Sequence, residues 1–268
     1  MDYITIATIG NATDFGDLTV SRQQSSAVSS STRGVFCGGH TGSFSNVMDY
    51  ITIDTIGNAT DFGDLIIATA GLSGVNSDVR GVVGGGNNGG NTNVIQYITI
   101  ATTGNATDFG DLTVSRRDMQ DGVNSSTRGV FGGGYSVIYE DTMDYITIAT
   151  VGNATDFGNL TVARYGPAGL NSLTRGVFGG GQTGAFSNVM DYITIATTGN
   201  ATDFGDLTVS RTYFGGLNST TRGVFGGGTT GSVSNVMDYI TIDTIGNATD
   251  FGDLTVTRDS VSGLQNGL

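Results

Sequence analysis

Residues able to do covalent or proton chemistry are few. One histidine, His40, and one cysteine, Cys37, stand among 268 residues. They cannot build a Ser–His–Asp set, a Cys–His pair or a His-rich metal centre. Carboxylates are abundant, with 23 Asp and a single Glu, Glu140, and paired acids can cleave glycosidic bonds. The sequence singles out no such pair. Asn11, Asp14 and Asp17 offer oxygen ligands of the kind calcium takes, but they are spaced three and three, unlike a calcium loop. Asn159 also replaces the last acid in one copy of this motif. Asx side chains closing a turn onto their own backbone account for these residues, so no cofactor is expected and calcium is the alternative. Asn-Ala-Thr is also a glycosylation acceptor, which turn chemistry explains as well. The glycine runs lack the following Lys and Ser/Thr of a phosphate loop. No catalytic residue is expected.

Binding is the chemistry that the residue types favour. Aromatic and amide side chains suited to stacking and hydrogen bonding on a sugar or a protein are His40, Asn87, Asn88, Tyr135, Tyr139, Tyr165, Gln182, Tyr213 and Phe214. All fall in segments that differ among otherwise near-identical copies of a repeat. Two charged sets recur once per copy, Arg33, Arg80, Arg128, Arg175 and Arg222, and Asp2, Asp49, Asp144, Asp191 and Asp238. A structural Arg–Asp pair in each copy is the expectation, with Gln96 leaving one Arg unpartnered.

The repeat that must position these residues starts at positions 1, 48, 95, 143, 190 and 237, a period characteristic of propellers, solenoids and arrays. Each copy holds four strand-like stretches: Tyr3–Thr8, Phe15–Arg22, a variable stretch (Gln23–Thr32 in the first copy), and a glycine-ending run seen as Arg128–Gly134. Period-2 alternation marks the first of these, and no stretch sustains a helical period. One copy cannot bury enough surface alone, and open stacks of alike sheets expose edges, so closure into a ring is expected. The chain reads as a single all-β domain over 1–268, a β-propeller of four-stranded blades. We read six blades. Only five glycine-ending strands are present, so the alternatives are a five-bladed ring with an extra hairpin or a strand supplied by another molecule, with self-association through the incomplete blade.

Val130-Phe131-Gly132-Gly133-Gly134, the Phe15 and Arg22 positions, and Asp54 and Asp243 resemble the double-glycine strand, the aromatic and closing-Arg positions, and the acidic position of the kelch repeat. Thr69 departs from the Arg pattern, and the chain has no Trp. The resemblance implies four-stranded propeller blades. The wording of the repeat is also similar to that of highly repetitive proteins of marine bacteriophages, cyanophages among them, which implies a phage origin and a virion or host-recognition role.

Antiparallel four-stranded blades put alternate connections on the same end. The constant Gly-Asn-Ala-Thr-Asp turn and the stretch before Thr-Arg-Gly-Val belong to one face, and both variable sets to the other. Loops on a rigid scaffold are where binding residues concentrate. All 11 basic residues are Arg, scattered along a chain of net charge −13, which argues against nucleic acid and anionic membranes. No apolar run is long enough to span a bilayer, and no signal peptide is visible. The expectation is a non-catalytic, virion-associated adhesin for a host-surface glycan or a virion protein, found in the virion or the host cytoplasm. An intracellular protein-interaction scaffold is the alternative, and a glycosidase or lyase a further one.

Overall fold

The computed structural model describes residues 1–264. Near the N-terminus β1 (Asp2–Tyr3) pairs with β2 (Thr13–Asp14) in a two-stranded sheet. Five four-stranded antiparallel blades follow. The first is β3 (Ser26–Ser29), β4 (Arg33–Cys37), β5 (Val47–Thr52) and β6 (Thr60–Asp64). The second is β7 (Ser73–Asn76), β8 (Arg80–Gly84), β9 (Val94–Thr99) and β10 (Thr107–Asp111). The third comprises β11 (Val123–Asn124), β12 (Arg128–Gly132), β13 (Thr142–Thr147) and β14 (Thr155–Asn159). The fourth and fifth are β15–β18 (Ala168–Asn171, Arg175–Gly179, Val189–Thr194, Thr202–Asp206) and β19–β22 (Gly215–Asn218, Arg222–Gly226, Val236–Thr241, Thr249–Asp253). This is an all-β propeller. Among the described residues no helix is long and apolar enough to cross a membrane.

The blade count corrects the expectation of six: there are five, and the remainder is the β1–β2 hairpin. Among the described residues no glycine-ending strand lies between Arg258 and Leu264, and β1 pairs only with β2. Ring closure nevertheless runs through the hairpin. Gly10 N–H bonds to the Phe251 carbonyl and Ala12 N–H to that of Asp253, as Gly57 and Ala59 bond to Phe15 and Asp17. On the variable face a continuous circle of backbone bonds surrounds the axis. Gln24, Ser260, Tyr213, Gly166, Asp118 and Gly71 each donate to the carbonyl of the next, and Gly71 donates to Gln24. All six adopt positive φ, between 55° and 67°.

Packing between blades explains the constant residues. Val28, Val75, Val123 and Leu170 of the inner strands seat on Gly81, Gly129, Gly176 and Gly223 of the following blade, where a Cβ would stand 2.4–2.5 Å away. That close approach requires the glycine of Arg-Gly-Val. In the outer strands, Gly63 sits at a β-bulge with φ +139, its missing Cβ 2.5 Å from the Gly104 carbonyl oxygen. The bulge lets the Asn turn of the next copy lie against the strand. Asn105 Oδ1 accepts the Asp64 N–H at 3.0 Å, and Asn58, Asn153, Asn200, Asn247 and Asn11 do the same for their predecessors. The Asn-Ala-Thr motif is thus an inter-blade tie, not a turn closed on itself.

The Arg–Asp expectation is corrected in its basic partner. The buried acids Asp49, Asp144, Asp191 and Asp238 pair at 2.7–2.9 Å with Arg22, Arg116, Arg164 and Arg211, and Asp2 pairs with Arg258 at 3.1 Å. Four closing arginines thereby tie the end of one repeat to the third strand of the next blade, and Arg258 ties the last repeat to β1. Arg33, Arg80, Arg128, Arg175 and Arg222 lie instead 4.3–4.7 Å over the rings of Tyr50, Tyr97, Tyr145, Tyr192 and Tyr239. Tyr stands one residue after each Asp, on the opposite strand face, so the two basic sets never compete. Gln96 orphans no Arg, because the closing position facing it is Thr69. The two neutral residues replace the pair together, and the Ile66 N–H still bonds to Gln96 Oε1 at 2.6 Å.

Candidate functional site

The two variable connections of each blade meet side by side on one face. Single β-bridges join Gln23 to His40, Ala70 to Asn87, Arg117 to Tyr135, Tyr165 to Gln182 and Thr212 to Thr229. The third and fourth blades differ from the rest in what these connections carry. Tyr135 and Tyr139 rise from the β12–β13 loop, Tyr165 from the β14–β15 connection and Tyr213 from the β18–β19 connection, and they converge with Arg117 and Asp118 around a cleft of about 200 Å³.

Ring centroids are 6.0 Å apart for Tyr135–Tyr139, 5.5 Å for Tyr139–Tyr165 and 5.7 Å for Tyr165–Tyr213. Tilted packing of this kind fixes rings with two rotatable bonds each, so little further entropy is lost when a ligand stacks on them. Tyr165 donates its hydroxyl to Gln182 Oε1 at 2.7 Å. Arg117 lies 5.1 Å over the Tyr135 ring and bonds through Nε to Asp118 at 3.2 Å. Asn91 steadies the outer wall, donating to the Tyr135 carbonyl at 3.1 Å and accepting from Arg117 at 3.3 Å.

Burial dominates the electrostatics. It raises the Asp118 carboxyl above its ordinary range, with Arg117 opposing. The Tyr213 phenol is raised by burial and then by the Asp118 charge, and Tyr165 by burial and then by Tyr139. Both phenols stay protonated at neutral pH and act as hydroxyl donors. The cleft therefore combines π faces with one guanidinium, one shielded carboxylate and four phenol hydroxyls. It offers no nucleophile paired with a base.

Of the sequence candidates, Tyr135, Tyr139, Tyr165 and Tyr213 come together, and Gln182 supports Tyr165. His40 packs edge-on against Phe44, 5.4 Å away, and accepts the Gly42 N–H in the first blade. Asn87 caps the Gly89 N–H of its own loop, and Asn88 is exposed beside it in the second blade. These three lie outside the cleft. Phe214 is a correction: it is fully buried, 5.6 Å from Phe225 and under Arg211. It occupies the position of Leu72 and Met119, which points beneath the circle of backbone bonds. Arg117, Asp118 and Asn91 were not anticipated, although the bare sequence does show Arg117 and Asp118 in a variable connection. Among the described residues no three His, Cys, Asp or Glu side chains converge. No protein-family model matches the chain, and no curated protein proves similar to it.

Proposed function

We propose that the protein is a non-catalytic binding propeller whose tyrosine cleft takes a single sugar ring of a host-surface glycan, and that it serves as a virion adhesin, a role the repeat's phage-like wording supports. The observation that carries this is the convergence of four tyrosines, from connections at the third, fourth and fifth blades, around one Arg–Asp pair. Pyranose C–H faces stack on aromatic rings, while ring hydroxyls bond to a carboxylate, a guanidinium and phenols. The cleft is smaller than the roughly 300–1,000 Å³ of drug-sized sites, which suits one ring and not a long chain. Charge supports the assignment, since an acidic protein without lysine is poorly matched to phosphate-rich partners.

Glycan-array binding by the intact protein tests it. Tyr165→Ala and Tyr139→Ala each lower affinity by about tenfold, at roughly 1–1.5 kcal/mol per stacked ring. His40→Ala leaves it unchanged. Binding that survives both Tyr substitutions, or that follows His40, would overturn the assignment. Capture of a host protein that competes at the same tyrosines, with no sugar bound, favours an interaction scaffold.

A further inference from the structure

The β1–β2 hairpin keeps the outer half of the blade pattern, and Ser262-Gly263-Leu264 supplies the innermost part. Leu264 packs on Gly34 (a Cβ there would lie 2.5 Å from Leu264 Cδ2) as Leu170 packs on Gly223. In five blades a strand of the type Arg-Gly-Val-Phe-Gly lies between these two parts. Here, among the described residues, β1 pairs only with β2.

Three side chains register the difference. Arg22, Arg116, Arg164 and Arg211 each bond to the carbonyl of the Phe in that strand, at 3.1–3.3 Å. Among the described residues, the Arg258 side chain instead reaches only Asp2 and Thr255, and it is 32% exposed, against 0% for the other closing arginines. Among the described residues, Tyr3, 38% exposed, has no guanidinium over its ring. Ile100, Ile148, Ile195 and Ile242 are sealed, their carbonyls capped by Arg33, Arg80, Arg128 and Arg175, whereas Ile53 stays half-buried.

We propose that this gap is a docking slot for one extended strand of another polypeptide, of the Thr-Arg-Gly-Val-aromatic-Gly-Gly-Gly type. The five native blades define its chemistry and register. By analogy with β20, its Arg lies opposite Thr5, its Val opposite Tyr3 and its aromatic residue opposite Asp2. The Arg covers the Tyr3 ring and caps the Ile53 carbonyl, and the aromatic residue's carbonyl accepts from Arg258. The glycine after Arg is obligatory because Leu217 abuts that face as Leu170 abuts Gly223 one blade earlier. A strand rich in glycine and carrying one cation also suits a slot bordered by Asp2 in an acidic protein. Backbone bonds to the β1 edge give affinity, and alternate side chains give specificity.

The test titrates the folded 268-residue chain with a synthetic peptide of residues 127–134. Saturable one-to-one binding with a raised melting temperature is expected. The same peptide with Arg128→Ala binds about tenfold more weakly for loss of the cation–π contact and carbonyl cap, and with Val130→Pro, which removes a ladder donor, it fails to bind. Arg258→Ala in the protein weakens binding without unfolding it, being partly exposed already. Equal binding of a scrambled peptide, or none at millimolar concentration, overturns the proposal.

Discussion

The paired disappearance of Arg and Asp at Thr69 and Gln96 makes a quantitative prediction for the blades that retain both charges. Arg164 and Asp191 are fully buried and bonded at 2.8 Å, with Arg164 also donating to the Phe178 carbonyl at 3.1 Å and Asp191 accepting from the Thr161 backbone at 3.2 Å. Arg164→Thr leaves Asp191 buried without its cation, and Asp191→Gln leaves Arg164 without its anion. Breaking one side of a buried pair costs about 3–5 kcal/mol. Substituted together, they recreate the chemistry that the molecule already tolerates at Thr69–Gln96, where the glutamine oxygen still accepts its backbone N–H. The double variant then loses no more than about 2 kcal/mol, chiefly packing of the Arg stem, against a sum of singles near 6–10 kcal/mol. Urea denaturation of the four proteins of the cycle measures this. At about 2–4 °C per kcal/mol for a chain of this size, each single lowers the melting temperature by about 6–20 °C and the double by less than about 8 °C. A double variant as unstable as the singles combined refutes the view that the two replacements compensate.

Other expectations follow from the same geometry. Asp121 is fully buried near the axis, accepting from Gly216 N at 2.9 Å, and burial raises its carboxyl to about 8. The folded state then holds a proton that the unfolded state has released, so stability falls as pH rises from the ordinary carboxylate range towards 8, by ~1.4 kcal/mol per unit. Asp121→Asn flattens that slope in denaturation curves at pH 5, 7 and 9, and an unchanged slope assigns it elsewhere. The buried Cys37 thiol is pushed up to about 12, so it should resist a thiol reagent in the native protein and react stoichiometrically in urea; rapid native labelling would contradict this. Asn200→Ala removes the tie to the Asn159 N–H at 3.1 Å and should cost about 1 kcal/mol in urea melts, whereas no loss would make the tie incidental. Tyr213→Gly should keep or raise stability while lowering glycan affinity, read by melting and array binding on one preparation; a large loss of stability would show that its φ of 57° carries no cost.

How much of this was legible in the sequence depends on where the information resides. Period, strand order and the assignment of loops to faces follow from Tyr-Ile alternation and copy spacing, because these are local properties repeated six times. The partner of Asp191 was not legible. Arg164 and Arg175 are both basic and both recur, and only the facing of the strands decides that one meets the acid and the other meets Tyr192. Blade number was undecidable for a similar reason, since strand counts give an inventory but not which edges pair. Phe214 was misplaced because a variable position does not have to be an exposed one. The register of the connection turns it inward, one residue after Tyr213. Gln120 is the one insertion that explains itself only in three dimensions. It makes the third repeat 48 residues long and takes φ 49°. Aligned with Ser73, Asp121 then reaches the Gly216 amide two blades away.

The circle of backbone bonds links the scaffold to the cleft. Its geometry demands positive φ at each of six positions, and Gly71 and Gly166 meet that demand without strain. Asp118 and Tyr213 occupy two of the remaining positions at φ 56° and 57°, where a side chain costs roughly 1–2 kcal/mol. Both line the cleft, and glycine is visibly acceptable to the same circle one copy away. Ring closure is redundant, held also by the Asn ties and the Arg–Asp pairs, so it can absorb that cost. Gln24 and Ser260 carry the same strain outside the cleft, so positive φ by itself marks no site. What distinguishes Asp118 and Tyr213 is that the strained backbone brings a carboxylate and a phenol into one cleft, beside the Tyr165 ring. The hub thus fixes where side chains can project, and divergence among the copies has filled only one sector of the rim with groups that act together.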